Sequence, residues 1–268
     1  HRTNGTLVTS NTSGIPIKLM NEGRSEDFKK NFAITHFFNP PRYLNLFEVI
    51  PGPDCEKNVL DFLMDYGEKF LGKTSVLAKD TPAFIGNRIG TFGIQSLFHQ
   101  VKNGEYTVEE VDKLTGTAIG RPKSATFRTA DVVGLDTLCH VANGIYENCP
   151  DDESRNVFKL PDFLKKMLDE KMLGSKTKKG FYKKVVGKDG KSKILSLNLK
   201  TLEYNEQKKV NFETLNAARK VKSRAEKFKV LVSGDDKASH FYREVFAKMF
   251  AYVQHRVPEI SDDLHSID

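Results

Sequence analysis

The sequence lacks the long apolar runs and the cysteine pairs that mark several classes of protein. In its 268 residues, no apolar stretch approaches the roughly 20 residues that a membrane-spanning helix requires. There is no tryptophan, and the three cysteines, Cys55, Cys139 and Cys149, form no C-x-x-C pair, which argues against a disulfide framework and a zinc site. We therefore expect a soluble, cytoplasmic protein with no membrane span and no bound metal.

The beginning of the chain also lacks two common features. It opens at His1 without a basic segment that leads into an apolar stretch, so the residues supply no secretory signal. An initiator methionine is missing as well. We interpret the chain as a piece of a longer polypeptide.

Charge is plentiful, but it is not arranged as in most nucleic-acid-binding proteins. The sequence holds 42 Lys and Arg against 35 Asp and Glu, for a net charge of +7, and both signs are interspersed through most of the chain. Basic residues clustered on one face are the usual footprint of nucleic-acid binding. We expect no nucleic-acid partner, because a small anionic ligand such as a nucleotide-bearing cofactor explains the excess equally well.

The first part of the chain alternates short strand-like runs with helical ones, which is typical of a βαβ sheet. Apolar and β-branched residues predict strands at 7–9, 33–38, 46–50 and 74–78. Before the last strand, apolar residues at helical spacing predict a helix that Asp54 caps and that ends at Gly72. Because the sheet begins at residue 6, we expect its earlier strands to be missing and predict the C-terminal part of an α/β domain over residues 1–79.

After Asp80 the pattern becomes helical. Pro82 lies near a predicted helix start, and Thr107 with Glu110 forms the T-x-x-E capping box of the next helix. Further helices are predicted at 131–148 and 161–173. We therefore predict a mainly α-helical domain over residues 80–184.

The remaining residues predict smaller pieces. Residues 180–197 place two short apolar runs around a Gly-bearing polar turn, which indicates a hairpin. Residues 198–230 carry many Lys and Arg and favour a solvated helix or linker, so 185–237 is predicted to be a hairpin and basic linker. Residues 238–268 contain one further apolar helical face that needs a partner to bury it.

Two residues are candidates for chemistry. His36 lies at the end of a predicted strand, and ligands of open α/β sheets bind in the crevice outside the carboxyl ends of strands. Glu48 lies inside the apolar run L-F-E-V-I, where a carboxylate costs several kcal/mol unless it is paired or reaches an edge. His36 is thus a site residue or a structural histidine, and Glu48 is its partner or a residue on an exposed edge face.

Five short sequence blocks occur in a fixed order and spacing, and this ordered set identifies a protein family more specifically than any single block does. They are T-S-N-T-S at 9–13, T-H-F-F-N-P at 35–40, F-E-V-I at 47–50, K-D-T-P-A-F-I-G-N-R at 79–88 and K-K-G-F-Y at 178–182. Over residues 6–184 this set resembles the 3-hydroxyacyl-CoA dehydrogenase family. The resemblance implies an α/β plus α fold, with the C-terminal strands of a truncated Rossmann-type NAD-binding domain followed by the family's mainly α-helical C-terminal domain.

The resemblance also implies a reaction, the NAD-dependent oxidation of (S)-3-hydroxyacyl-CoA to 3-oxoacyl-CoA in fatty-acid β-oxidation. His36 would be the catalytic base that removes the proton of the 3-hydroxyl, a task suited to histidine. Glu48 would share the catalytic work by holding the other ring nitrogen and stabilising the imidazolium. Ser13 and Asn87 would bind the substrate.

The implied cofactor is NAD, with Asn11 and Asn39 as cofactor-binding residues. The chain departs from the family here, because no G-x-G-x-x-G, the fingerprint that cradles a dinucleotide pyrophosphate, occurs in it. The run G-K-D-G-K-S at 187–192 echoes a phosphate-binding loop, but Val185 stands where the first glycine should be, so we interpret it as a turn. We expect the main NAD-binding motif to be absent and the chain to be inactive by itself.

Several partners follow from the resemblance. We expect an acyl-CoA substrate, a homodimer through residues 80–184, and a fused enoyl-CoA hydratase module or a thiolase partner; residues 238–268 resemble the start of a truncated second helical repeat. The G-R-P-K run at 120–123 departs from the family and leaves the acyl chain length open. Two alternatives remain, a dehydrogenase acting on hydroxybutyrate-like or polyol substrates without CoA, and a non-enzymatic acyl-CoA-binding or assembly module.

Overall fold

The computed structural model describes residues 2–187 and 190–268. The chain divides into two compact units, of which the first comprises His1–Gly90 with Ala251–Asp268 and the second comprises Thr91–Phe250. These units do not coincide with the boundaries predicted near residues 79, 184 and 237, because two long helices, Gly86–Lys102 and Lys237–Ile260, contribute residues to both units. The predicted family domains stay a prediction.

The first unit is built on a four-stranded sheet. Its strands, in both chain order and spatial order, are β1 (Val8–Ser10), β2 (Phe32–Phe37), β3 (Leu46–Pro51) and β4 (Thr74–Leu77). Strands β1 and β2 are parallel, β2 and β3 are antiparallel, and β3 and β4 are parallel. All four predicted strands are confirmed to within one residue at each end.

Three helices connect these strands, namely α1 (Ile17–Asn21), α2 (Glu26–Lys30) and α3 (Lys57–Lys69). The prediction that Asp54 caps α3 is wrong, because the N-cap is Glu56. A turn closed by the N–H of Cys55 on the carbonyl of Gly52 delays the helix start. Gly72 lies beyond the end of the helix with φ +62°, a left-handed conformation that glycine adopts without a steric penalty.

The two faces of this sheet have separate apolar cores, because successive side chains of a strand point to opposite faces. Ala33 of β2 and Val49 of β3 pack on one face with α3. Ile34 and Ile50 pack on the other face, together with apolar residues that follow β4 and with Ile260 and Ile267 from the C-terminal segment. By the same alternation, His36 and Glu48 lie on this second face.

The second unit contains most of the helices. The helices that follow β4 are, in chain order, α4 (Gly86–Lys102), α5 (Val108–Thr115), α6 (Phe127–Val133), α7 (Leu135–Asn148) and α8 (Asp162–Asp169). The predicted capping box is confirmed, since Thr107 accepts the N–H of Glu110 and Glu110 accepts that of Thr107. The single helix predicted at 131–148 is divided at Gly134, whose φ is +99°.

The predicted hairpin is confirmed as the antiparallel pair β5 (Tyr182–Val186) and β6 (Ser192–Leu197), although two residues of its predicted turn, Lys188 and Asp189, lie outside the described residues. For residues 198–230 a solvated helix or linker is predicted, and the structure supports the helix and not the linker. That region forms β7 (Tyr204–Glu206), α9 (Glu213–Ala218) and most of α10 (Arg224–Ser233), and the last helix is α11 (Lys237–Ile260).

Among the basic residues of 198–233 lie apolar residues that help to form the core of the second unit. Phe212, Leu215 and Leu231 are buried there among residues of the helical region. Long Lys and Arg side chains can keep their charges in water while their neighbours are buried. None of the helices formed by the described residues has the length and hydropathy needed to cross a membrane.

Asp131 holds the K-K-G-F-Y run in the second unit. Its two carboxylate oxygens accept the N–H groups of Phe181 at 2.8 Å and Tyr182 at 2.9 Å. Gly180 lies so close that an added Cβ would be 2.0 Å from Asp131 Oδ1 and 2.6 Å from the Cα of Gly174. A side chain at this position would therefore displace the carboxylate or the backbone.

We expect Gly180→Ala to lower the free energy of unfolding by about 1–3 kcal/mol, the usual cost of forcing an atom into a packed interior. The matched control is Gly144→Ala in α7, where an added Cβ meets no atom within 4 Å and should stabilise the helix by about 0.5–1 kcal/mol. Urea denaturation of both variants measures these changes. Equal stability of the two variants would contradict the close packing at Gly180.

Candidate active site

The register of the two central strands brings His36 and Glu48 together. They face each other across the antiparallel pair β2 and β3, and His36 Nδ1 lies 2.7 Å from Glu48 Oε2. The side chain of Glu48 has no exposed surface and that of His36 is 6% exposed. The structure thus selects the sharper of the two sequence interpretations for Glu48, a buried partner of the histidine.

The second oxygen of the Glu48 carboxylate is held by backbone donors. Oε1 accepts the N–H of Ile85 at 3.0 Å and that of Gly86 at 2.7 Å. Gly86 is the first residue of α4, and the N-terminal end of a helix carries a partial positive charge that stabilises a carboxylate. Because a buried charge is tolerated only when it is paired and hydrogen-bonded, these contacts make this position of Glu48 possible.

Close packing lets the start of α4 approach the strands. A Cβ on Gly86 would lie 2.5 Å from Phe38 Cζ and 3.2 Å from Leu46 Cδ2, so only glycine fits without rearrangement. Two aromatic rings then meet the imidazole of His36 edge-on, Phe38 with its centroid at 4.6 Å and Phe84 at 5.6 Å. The histidine ring is therefore fixed in orientation by packing as well as by Glu48.

The loop after β1 lies beside the end of β2. Asn11 Oδ1 accepts the N–H of Phe37 at 2.9 Å, which ties this loop to the residue that follows His36. Thr12 Oγ1 accepts the N–H of Ile15 at 3.1 Å and orders the next turn. Asn11 and Ser13 are both exposed, so their remaining polar groups are open to a ligand at the carboxyl ends of the parallel strands β1 and β2.

For the two other predicted residues, Asn87 and Asn39, the structure gives a position but, within the described part of the chain, no side-chain hydrogen bond at the site. Asn87 is half-buried in the first turn of α4, directly after Gly86. Asn39 is exposed and forms a cis peptide bond with Pro40. Among the described residues, no hydrogen-bond partner is found for the side chains of Ser13, Asn39 and Asn87, so their predicted roles stay predictions.

The sequence prediction missed the backbone of Ile85 and Gly86 as part of the site. A helix N-terminus that ends a strand-to-helix connection is a recognised anion site, and Gly86 was the one signal in the sequence that could have indicated it.

Asp80, just upstream, accepts the N–H of Ile17 at 2.9 Å. Partial desolvation raises the pKa of the Asp80 carboxyl, and this hydrogen bond acts in the opposite direction. Over residues 2–187 and 190–268, no group of three or more metal-ligating side chains is found.

Two family models match the chain. The model of the 3-hydroxyacyl-CoA dehydrogenase NAD-binding domain matches residues 1–81, and that of the 3-hydroxyacyl-CoA dehydrogenase C-terminal domain matches residues 84–184. The first match supports the predicted cofactor, NAD, and both agree with the predicted α/β plus α fold. The first match gives no support to the predictions that this domain is truncated and that the main NAD-binding motif is absent.

Individual relatives agree with these matches. A probable 3-hydroxyacyl-CoA dehydrogenase of Bacillus subtilis is 47% identical over 268 residues, which is 100% of this chain and 33% of that protein. A putative fatty acid oxidation complex trifunctional enzyme of Rickettsia felis is 29% identical over 98% of this chain and 35% of its own length. The chain thus spans about a third of the length of these two curated relatives.

A solved structure is similar as well. The crystal structure of the (S)-3-hydroxybutyryl-CoA dehydrogenase PaaH1 from Ralstonia eutropha is 28% identical with a TM-score of 0.58. The similarity covers 65% of this chain and 59% of that one.

We expect Glu48→Ala to lower the free energy of unfolding by about 3–5 kcal/mol, because it leaves the N–H groups of Ile85 and Gly86 and the Nδ1 of His36 without their acceptor. The control is Glu68→Ala at an exposed position of α3, which should change stability by less than about 0.5 kcal/mol. Chemical denaturation of the two variants gives the comparison. A Glu48→Ala protein as stable as the control would exclude the proposed anchoring of the carboxylate.

Proposed function

Since the chain belongs to the 3-hydroxyacyl-CoA dehydrogenase family, we propose that it serves the NAD-dependent oxidation of (S)-3-hydroxyacyl-CoA to 3-oxoacyl-CoA. The observation that carries this proposal is the buried contact between His36 Nδ1 and Glu48. An ionised carboxylate can only accept hydrogen bonds, so it keeps the proton of the neutral imidazole on Nδ1. Nε2 of His36 is then the ring nitrogen with a free lone pair, as a general base requires.

In the proposed reaction His36 Nε2 takes the proton of the substrate's 3-hydroxyl. The imidazole becomes positively charged as this proton arrives, and Glu48 stabilises that charge from the other side of the ring. The N–H groups of Ile85 and Gly86 hold Glu48 in place during the change, so that the carboxylate does not need to move. Preorganised groups of this kind reduce the reorganisation that accompanies charge development.

Two polar residues are assigned to the substrate in this proposal. Ser13 and Asn87 bind the substrate's oxygen, Ser13 from the loop after β1 and Asn87 from the first turn of α4. The support for these assignments is the position of the two residues. Ser13 lies two residues after Asn11, which accepts the N–H of Phe37, and Asn87 directly follows Gly86, whose N–H donates to Glu48.

Bound NAD would supply the acceptor for the hydride from C3 of the substrate. The residues present fit such a group, since the exposed loop after β1 lies at the carboxyl ends of two parallel strands, where α/β sheets bind dinucleotides. In this proposal Asn11 and Asn39 contact the cofactor with side-chain amides. We further propose that the chain by itself is inactive and that residues 80–184 form a homodimer.

The names of the relatives guide the choice of substrate and partners. An acyl-CoA substrate in fatty-acid β-oxidation agrees with the trifunctional enzyme of Rickettsia felis, which also supports a fused or associated hydratase or thiolase activity. The net charge of +7 suits a ligand that carries several phosphates. The non-enzymatic alternative is not favoured, because the Bacillus subtilis relative is named as a dehydrogenase.

We expect His36→Ala in the complete gene product to lower kcat by at least about 100-fold, the lower range for the loss of a general base. The measurement is NADH formation from an (S)-3-hydroxyacyl-CoA thioester, with circular dichroism to verify the fold. His140→Ala, at an exposed position of α7, is the control and should retain full activity. Unchanged activity of His36→Ala would assign the base to another residue, and an inactive parent protein would favour the binding-module alternative.

Glu48→Gln tests the orienting role separately from burial. The amide has nearly the same shape, but it can turn only one oxygen toward its donors, so the group that faces His36 becomes an N–H donor. The histidine is then driven to the tautomer protonated on Nε2, and we expect kcat to fall by at least about 100-fold. The same NADH assay measures the change. Full activity of the variant would show that the carboxylate is not needed to orient the base.

A further inference from the structure

The turn that supplies donors to Glu48 has a conformation that the chain does not adopt readily. Ala83 and Phe84 have φ values of 67° and 49°, in the left-handed region that residues other than glycine rarely occupy. Residues in this strained conformation persist only where the surrounding structure holds them. Residues 79–88, here called the donor turn, therefore need support from other parts of the fold.

The upstream end of the donor turn is bound by the end of the chain. The N–H of Lys79 donates to the carbonyl of Ile260 at 3.1 Å. Its Nζ donates to the carbonyl of Pro258 at 2.9 Å and pairs with Asp262 at 2.6 Å. Three contacts thus connect one residue of the turn to residues 258–262.

The downstream end is bound through a buried guanidinium. Arg88 is completely buried; its Nε donates to the hydroxyl of Tyr252 at 2.7 Å, and its Nη2 lies 3.2 Å from Glu259 Oε1. Arg256 completes the arrangement, since it pairs with the other oxygen of Glu259 at 2.5 Å and lies 5.2 Å from the centre of the Tyr252 ring. A buried Arg requires such partners, because an unpaired charge would be strongly destabilising.

Apolar packing joins these two ends. Ile260 is completely buried in the same cluster as Phe84 and Ile85. Residues 251–268 belong to the same compact unit as the sheet and the donor turn. Neither family model matches this stretch, since the two matches cover residues 1–81 and 84–184.

We propose that residues 251–268 act as a positioning element for the site, in which Tyr252 and Glu259 fix Arg88 and thereby hold the donor turn with Ile85 and Gly86 aimed at Glu48. Tyr252 and Glu259 are positioning residues, since they act through Arg88. The inference rests on the proposed function for its effect on catalysis, whereas its structural part concerns the donor turn alone.

The first test is amide hydrogen exchange in the chain with Tyr252→Phe, which removes the hydroxyl that accepts from Arg88 and keeps the ring. The control is Tyr242→Phe on the same helix, which is equally buried and donates its hydroxyl to the carbonyl of Leu114 in the second unit. We expect exchange at Ile85 and Gly86 to accelerate about tenfold in Tyr252→Phe, as for the loss of a hydrogen bond to a charged group.

Reference amides in the same unit separate positioning from simple stability. Exchange at Ile34 and Ile50, in the paired strands β2 and β3, should stay as in the parent. An equal acceleration at these amides and at the donor turn would overturn the proposal, because it would mean that the segment only stabilises the unit. Exchange at Ile85 and Gly86 that is as slow in Tyr252→Phe as in Tyr242→Phe would overturn it as well.

The second test is kinetic and uses the complete gene product. We expect Tyr252→Phe to lower kcat about tenfold with KM changed by less than about twofold, since the base loses its fixed partner while substrate contacts remain. Tyr242→Phe should leave both constants near those of the parent. Glu259→Gln is a second variant that should show the same split if Tyr252→Phe does not fold.

The two tests fail in different ways. If the parent protein oxidises no 3-hydroxyacyl-CoA, the proposed function fails, yet hydrogen exchange at Ile85 and Gly86 still decides the positioning role. If the parent is active and both variants keep its kcat, the proposed function stands and the positioning role is refuted.

Discussion

The buried carboxylate of Glu48 is the interaction on which the site depends. It accepts from a side chain on β2 and from two backbone N–H groups at the start of α4, so one residue of β3 joins three parts of the chain. A charge with no exposed surface is stable only while these donors remain in place. The same hydrogen bonds that hold the buried carboxylate in place also fix the ring of His36.

The constraint extends outward from Glu48 through packing. Gly86 must lack a side chain so that the helix start can reach the carboxylate past Phe38. The preceding residues Ala83 and Phe84 adopt left-handed conformations, and the N–H groups of the next two residues, Ile85 and Gly86, donate to Glu48. The energy that this conformation costs is offset by burial of Phe84 and Ile85 in the apolar core of the first unit.

The second unit reaches a compact core by a different route. Its helices supply a set of buried aromatic and aliphatic residues, and the strongly basic region near the end adds Phe212, Leu215 and Leu231 to that core. The Lys and Arg residues of this region therefore lie on the surface of elements that belong to the second unit, and their number does not indicate a separate linker. Asp131 shows that a second buried carboxylate also orders backbone N–H groups here, at Phe181 and Tyr182.

The sequence by itself determined the four strands, the capping box at Thr107 and the candidate pair His36 and Glu48, because alternation, helix caps and a polar residue in an apolar run are all local patterns. Tertiary structure alone decided which donors reach Glu48 and that residues 251–268 pack in the first unit against Arg88. Arg88 and Tyr252 are 164 positions apart. Periodicity acts over a few residues, whereas such a contact depends on how complete elements pack.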